Sequence, residues 1–403
     1  MAIDPHIALI TEAYSGHNLG DRELVLATVD VVHEAHPSMR PVVVALEPET
    51  FRDALPHVDV LPRLFDRRRL AEVTAVQRAC LLAAWGAFAL AETVFVALRI
   101  PARLRRSVAR WLLGAPAMRT YDSYCRTGKH YAVGGGYLGD RYVKESALTL
   151  WTWWWAVRRG VSVATMPVSI EAQGPTMKRL LRGLLPGVQV AVRDESSESV
   201  LHGLGLRCRR FPDLAFRNAF RIAELHPAVG DRCIVFPVGS DYFDEAVWRE
   251  RWSDVCQVAE AEGLSLLTYA MHEPIRGALA GHDLEVVDLL VEQHGAERLA
   301  GVASYQDLCT VIGREARLVI TARMHAAIAA LSVGVPAVVL GYEEKHRTLM
   351  QLLGLENLYI SLDQASQPAI AEAISIALSL DRMDLTRRVH AYAHPLDGLV
   401  ATL

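Results

Sequence analysis

The stretch at residues 319–340 limits the fold most. It runs Val319-Ile320-Thr321-Ala322, Arg323-Met324-His325, a series of small apolar residues to Ser332, then Gly334-Val335-Pro336 and Ala337-Val338-Val339-Leu340. It reads as a short apolar strand, a turn, a small-residue helix and a second apolar strand. Gly334 suits the end of the helix, and Pro336 leads into the next strand. Arg323 and His325 fall just beyond a strand's carboxyl end and before a helix's amino end, where open α/β sheets bind ligands. The same two side chains can also simply cap and solvate that turn.

The pattern recurs along a chain of 403 residues, a length that suits two domains. Residues 6–10 read as a strand, followed by Gly16-His17-Asn18-Leu19-Gly20-Asp21 and an apolar-periodic helix, the opening of a βα unit. Asp21 is placed either to cap that helix or to face a ligand. Residues 41–46 read as a second strand. Residues 131–133 read as a third, ending in a turn at Gly134-Gly135-Gly136, where a backbone can approach a ligand or another segment closely. Residues 161–170 and 188–192 read as further strands. The last leads into Arg193 and a helix start rich in acids and serines, so Arg193 either faces a ligand or pairs with Asp194 or Glu195. A second series begins with a strand at 233–238, a helix near 244–262 and a strand at 264–269. A short strand at 284–287 and a helix from Ser304 lead to the stretch at 319–340. Lys345 is a third cation beyond a strand end. The expected domains are 1–217, with an insertion at 79–113, and 218–403. A polar linker is expected at 217–231, and the terminal helices near 368–380 and 382–393 are expected to pack back on the first domain.

Composition excludes several classes. The net charge is −4 and no long basic tract occurs, so nucleic acid is not an expected partner. The six cysteines form no C-x-x-C pair, which argues against a zinc ribbon or disulfide framework and fits a reducing cytoplasm. The first residues show no basic segment followed by an apolar core, so no signal peptide is expected. The turn at residues 16–21 is not G-x-G-x-x-G, so a dinucleotide site is not indicated there, and H-E-x-x-H and G-x-S-x-G do not occur, so neither that metal centre nor a serine elbow is indicated.

Residues 79–98 hold one charge, Glu92, and are long enough to span a bilayer. The α/β pattern continues on both sides, so a crossing would split one domain. Two readings remain: a buried helix of the first domain, or an insertion resting on a membrane surface. Arginines at 67–69 and 78 precede it. Residues 100–113, with Arg103, Arg105, Arg106 and Arg110, read as a basic amphipathic helix. Trp151, Trp153, Trp154 and Trp155 supply either an aromatic interfacial edge or helix packing.

Two α/β domains with ligand-facing strand ends suggest a cleft holding Arg193 from the first half and Arg323, His325 and Lys345 from the second. Arginines give forked, permanently charged recognition of carboxylate or phosphate, and one histidine beside them can move a proton. The constellation asks for a small, multiply anionic substrate and an acid–base step.

Several motifs in fixed order resemble the polysaccharide pyruvyl transferase family. They are Asn18-Leu19-Gly20-Asp21, Gly134-Gly135-Gly136-Tyr137-Leu138, Val168-Ser169-Ile170 with Gly174-Pro175, and Val192-Arg193-Asp194 with Ser197. Arg323-Met324-His325 with Gly334-Val335-Pro336 and Tyr342-Glu343-Glu344-Lys345 completes the set. The resemblance runs from about residue 7 to 355, interrupted by the apolar segment near 79–113. It implies two Rossmann-like domains facing a cleft, a glycosyltransferase-B-like α/β fold. It also implies pyruvyl transfer from phosphoenolpyruvate to a sugar hydroxyl pair, with ketal formation, in cell-surface polysaccharide or glycolipid synthesis. His325 would be the general acid. Arg193, Arg323, Met324 and Lys345 would bind substrate, with Asn18, Asp21, Gly135 and Gly136 shaping the site from the first domain. Lys345 can equally be a surface lysine beside two glutamates. No cofactor or metal is expected, phosphoenolpyruvate being the donor substrate. The expected partners are a sugar acceptor, lipid-linked or free, and a membrane surface reached through 79–113. The expected location is cytoplasmic, peripheral on the inner face of the plasma membrane. A nucleotide-sugar glycosyltransferase, or a non-catalytic membrane-associated scaffold of the same fold, are the alternatives.

Overall fold

Short apolar strands buried on both faces set the architecture, as parallel sheets covered by helices require. The computed structural model describes residues 3–66, 68–71, 73–223, 230–239, 245–272 and 283–403. Contacts divide the chain into two units. Unit 1 comprises Met1–Gly16, Leu24–Phe211 and Gly398–Leu403; unit 2 comprises His17–Glu23 and Pro212–Asp397.

Unit 1 holds β1 (Asp4–Ala13), β2 (Arg40–Ala45), β3 (Asp59–Pro62), β4 (Thr127–Ala132) and β5 (Gly135–Gly139). Next come β6 (Ser162–Thr165), β7 (Val168–Glu171), β8 (Val188–Gln189), β9 (Ala191–Val192) and β10 (Arg209–Arg210). They form two parallel sheets, ordered β3-β2-β1-β4-β6-β8 and β10-β9-β7-β5. The small sheet continues strands of the large one. β4 runs on into β5, β6 into β7 and β8 into β9 after one or two residues. Pro167 occupies one break, where it has no N–H to give to a ladder. Residues 161–170 and 188–192, expected as single strands, therefore each divide. The glycines expected as a turn instead open β5.

Two hydrophobic clusters fill unit 1. One joins Leu9 and Val44 to Phe65, Phe88, Tyr121 and Trp155. The other joins Val163 and Ile170 to Leu150, Trp153 and Leu181. The Val143–Arg158 helix feeds both, because Trp153 and Trp155 leave it in different directions and are fully buried. The tryptophans at 151–155 are thus packing residues, not an interfacial edge: Trp151 and Trp154 lean on the first cluster.

Unit 2 holds β11 (Arg232–Phe236), β12 (Ser265–Thr268), β13 (Glu297–Arg298), β14 (Ala316–Thr321), β15 (Ala337–Gly341) and β16 (Tyr359–Ser361). They form one parallel sheet in the order β13-β12-β11-β14-β15-β16. Counted within the unit this is 3-2-1-4-5-6, the doubly wound order, with its switch point between β11 and β14. Gly334 ends the Met324–Ser332 helix with φ +72°, a conformation that suits glycine, and Val335 N–H returns to Ala330 C=O at 2.9 Å.

Two local expectations change. Residues 284–287 lie in the Asp283–His294 helix, with Val286, Val287, Leu289 and Leu290 buried. A short apolar run cannot be told from a buried helix by periodicity alone. The Ala215–Ala223 helix occupies the first part of the expected linker, and 224–229 lie outside the described residues. The terminal helices Gln367–Ser379 and Arg382–Ala393 fall in unit 2, in the second half of the chain as expected, while Gly398–Leu403 groups with unit 1.

The apolar segment forms the Ala75–Ala97 helix, opened by a Thr74–Gln77 capping box. Only one face of it is buried, through Trp85, Phe88 and Glu92. The Glu92 carboxylate is satisfied by Arg105 Nε at 3.1 Å, Tyr121 OH at 2.8 Å and Trp155 Nε1 at 3.0 Å. Removing that carboxylate strands a largely buried guanidinium. Glu92→Ala is expected to cost about 3–5 kcal/mol, read from urea unfolding followed by tryptophan fluorescence. A loss under about 1 kcal/mol would mean the carboxylate does not hold these partners together.

Candidate active site

The site in unit 2 is built where β14 hands over to a helix. Arg323 is the N-cap of the Met324–Ser332 helix, in an extended conformation, and its N–H donates to Thr321 Oγ1 at 2.8 Å. A helix amino end beside a permanent cation favours a bound anion. The guanidinium is held by a carboxylate: Arg323 Nε donates to Asp283 Oδ2 at 3.0 Å, and its NH2 group bonds Oδ1. Asp283 is wholly buried and also accepts from Gly239 N–H at 3.3 Å. This two-pronged geometry fixes the orientation of the fork.

His325 follows in the first turn of the same helix. Its Nε2 lies 3.9 Å from Asp213 Oδ1. The Asp213 carboxylate is buried and also accepts from Ala215 N–H at 2.9 Å, at the start of the next helix. Tyr305 OH donates to the His325 carbonyl at 2.8 Å. Burial, with Cys309, Glu23 and Asp213 nearby, pushes the Tyr305 phenol well up, so it stays a neutral donor. The imidazole packs against Gly20: a Cβ there would overlap the ring. Glycine at position 20 is thus needed for space.

The Asn18–Asp21 motif, expected to act from the first domain, belongs to unit 2. Asn18 forms a backbone bridge with His272, and Leu19 N–H donates to Met271 C=O at 3.2 Å. Arg22 reaches Ala303 C=O at 3.1 Å, and Glu23 accepts from Asn218 at 2.7 Å. Asn18, not Asp21, caps the Leu19–Ala35 helix: its Oδ1 accepts the N–H groups of Gly20 at 3.0 Å and Asp21 at 3.2 Å. Asp21 lies in the first turn.

Met324 is buried. Lys345 is part-exposed and ion-paired with Glu343, which precedes the Glu344–Leu352 helix. The next residue, His346, is buried, with Nδ1 3.2 Å from the Glu343 carbonyl oxygen. Burial, and then Lys345, push its pKa down to about 3.

Unit 1 carries Arg193, Gly135 and Gly136. Arg193 follows β9 directly and is buried; its Nε donates to Ser169 Oγ at 2.7 Å, and Ser169 donates to Asp194 Oδ2 at 2.7 Å. Asp194 also caps the Glu195–Gly203 helix through Ser197 N–H, while Glu195 pairs with Arg210. A Cβ at Gly136 would come within 3.2 Å of the Arg193 NH2 group, so the bare backbone of β5 gives the guanidinium its place.

Sequence reasoning missed Asp213, Asp283, Tyr305, Gly20 and His346. Asp213 stands before a helix and Asp283 opens one, and both look like ordinary helix-start acids. Among the described residues the fold also gathers Glu198, His202 and Cys208 closely enough to share a cation. Glu198 is however engaged by Arg210, and burial followed by the Glu198 charge raises the Cys208 thiol pKa. A cavity of about 510 Å³ beside them is lined by Val188, Arg207, Arg209, Phe211 and the last residues of the chain.

The strand order and paired α/β units define a glycosyltransferase-B-like fold. Solved structures share it. The UDP-GlcNAc 2-epimerase from Neisseria meningitidis bound to UDP-GlcNAc is 9% identical, with 98% of this chain and 99% of that one covered and a TM-score of 0.54. The Methanocaldococcus jannaschii UDP-GlcNAc 2-epimerase in complex with UDP-GlcNAc and UDP is 10% identical over 96% and 99%, at 0.54. Spinosyn rhamnosyltransferase complexed with thymidine diphosphate is 13% identical over 98% and 99%, at 0.50. At these identities the likeness is one of fold. No curated protein matches in sequence. The profile of the polysaccharide pyruvyl transferases matches residues 18–344, and the chain belongs to that family.

His346 gives unit 2 a pH dependence whose sign is fixed. Its folded pKa lies below the unfolded value of 6.5, so below pH 6.5 the unfolded chain takes up a proton that the folded chain refuses. Stability therefore falls with pH between 6.5 and about 3, at up to about 1.4 kcal/mol per pH unit. His346→Gln is expected to show a smaller drop in denaturation midpoint from pH 7 to pH 5 than the parent chain. Equal drops would mean that His346 protonates in place.

Proposed function

We propose that the chain transfers the pyruvyl group of phosphoenolpyruvate onto two hydroxyls of a sugar, forming a ketal and releasing phosphate. The observation that carries this is Arg323 and His325 at a helix amino end in a member of the polysaccharide pyruvyl transferase family. Phosphoenolpyruvate offers a carboxylate and a phosphate, and a guanidinium held at a helix amino end suits either. Lys345 sits on the neighbouring strand-to-helix turn as a second cation for the phosphate. Arg193, with Gly135 and Gly136, is assigned to substrate binding on unit 1.

In this reading protonated His325 gives its proton to the methylene carbon, which becomes a methyl group, and C2 becomes electrophilic. A sugar hydroxyl adds to C2 and loses its proton. The C2–O bond to phosphate then breaks, phosphate departs, and a second hydroxyl closes the ketal. Asp213 orients the imidazole and stabilises its charged form. Fixed cations supply the rest by positioning and electrostatic preorganisation. No cofactor takes part. The proposed setting is the cytoplasm, to which six free cysteines are suited.

Phosphate release from phosphoenolpyruvate is expected to depend on an added sugar diol. Nucleotide-sugar turnover with no acceptor-dependent phosphate release would overturn the reading in favour of glycosyl transfer. His325→Gln is expected to lower kcat about 10²–10⁴-fold with donor binding retained. Arg323→Ala is expected to weaken donor binding about 10–100-fold. Undiminished turnover in the first variant would remove His325 from the chemistry. Gly20→Ala, which crowds the imidazole, is expected to lower kcat in the same direction.

A further inference from the structure

The outer surface of the Ala75–Ala97 and Ala102–Leu113 helices is not explained by the proposed reaction. The first helix is long and apolar enough to cross a bilayer by length and composition. Its inner face, through Trp85, Phe88 and Glu92, is built into the unit 1 core. A crossing would strip Glu92 of Arg105, Tyr121 and Trp155 and put it in hydrocarbon. The helix is therefore not free to span.

The opposite face is apolar too. Val76, Ala83, Ala87, Leu90, Val94 and Leu98 follow one another at helical spacing and are all exposed, Val76 at 74%, Leu90 at 68% and Leu98 at 66%. An ordinary surface helix would be polar there. The second helix is amphipathic in a different way. It buries Ala109 and Leu113 and holds Leu104 and Trp111 outward one heptad apart, Trp111 at 83% exposure. Arg103 and Arg110 lie next to them at the same spacing, and Arg99 stands at the junction of the helices. Arg105 and Arg106 are spent on Glu92 and Asp122. Arg99, Arg103 and Arg110 are exposed and have no ion-pair partner among the described residues.

We propose that this surface docks on an anionic phospholipid bilayer, with the helices lying in the interface and not crossing it. The exposed aliphatic stripe enters the acyl boundary, Trp111 sits at headgroup level, and Arg99, Arg103 and Arg110 meet lipid phosphates. A second copy of the chain fits less well, because two such surfaces would oppose arginine to arginine. The proposal is independent of the reaction assigned above, since it involves neither substrate nor unit 2.

The test is co-sedimentation of the full chain with vesicles of phosphatidylcholine alone and with added phosphatidylglycerol, at low and high salt. Binding is expected to the anionic vesicles, at least about tenfold weaker to the neutral ones, and weakened by salt. Leu90→Glu with Val94→Glu, on the exposed face, is expected to abolish binding while unfolding temperature and phosphate release are kept. Arg103→Glu with Arg110→Glu is expected to bring anionic vesicles down to the neutral level. Failure to bind anionic vesicles overturns the proposal, as does unchanged binding in both variants. A concentration-dependent dimer in ultracentrifugation without lipid, lost in the Leu90→Glu and Val94→Glu variant, would assign the surface to a second copy instead.

Discussion

The pairing of β11 with β14 is the contact on which the site in unit 2 depends. The two strands are distant in sequence and lie side by side in register from Cys233 opposite Leu318 to Phe236 opposite Thr321. Chain order reverses at this pair, the place where doubly wound sheets take ligands at the carboxyl edge. The Asp283 carboxylate ties the two loop starts together, taking Gly239 N–H from beyond β11 and the Arg323 fork from beyond β14. A buried ion pair of this kind contributes orientation more surely than net stability. It holds a guanidinium in a fixed orientation at the amino end of a helix.

A second carboxylate performs the same service for the imidazole. Asp213 caps one helix and stands behind His325 on another, while Gly20 removes the bulk that would push the ring away. In unit 1 a relay from Asp194 through Ser169 steadies Arg193 beside the bare backbone of Gly136. Arg193, Arg323 and His325 are thus each set by a buried partner and, for two of them, by a missing side chain. Preorganisation of this sort lets charge be stabilised without reorganising the site during reaction.

Legibility followed the range of the signal. The strand-helix-strand unit around Arg323 and His325 was readable because its periodicity and its Gly334 and Pro336 stops are local. Arg193 at a strand end was readable for the same reason. Asp283 was not, because its neighbours 284–287 form a short apolar run that suits a strand as well as a buried helix. The Asn18 motif was found, but its side of the molecule was not: backbone bonds to residues 271 and 272, far along the chain, bind it to unit 2. The apolar helix at 75–97 posed the question of burial or exposure, and the answer is both, one face each, since Glu92 turns inward.

By itself the sequence determined the α/β class, the positions of most strands and helices, and which cations and which imidazole stand at strand ends. Those features depend on periodicity, turn residues and motif order, all written over a few neighbouring positions. Only the tertiary structure decided the sheet order, the division of strands around Pro167, the carboxylates that aim Arg323 and His325, and the two-faced burial of the 75–97 helix. These rest on contacts between residues far apart in the chain, and a carboxylate's partner is chosen by where the fold brings a second group within reach.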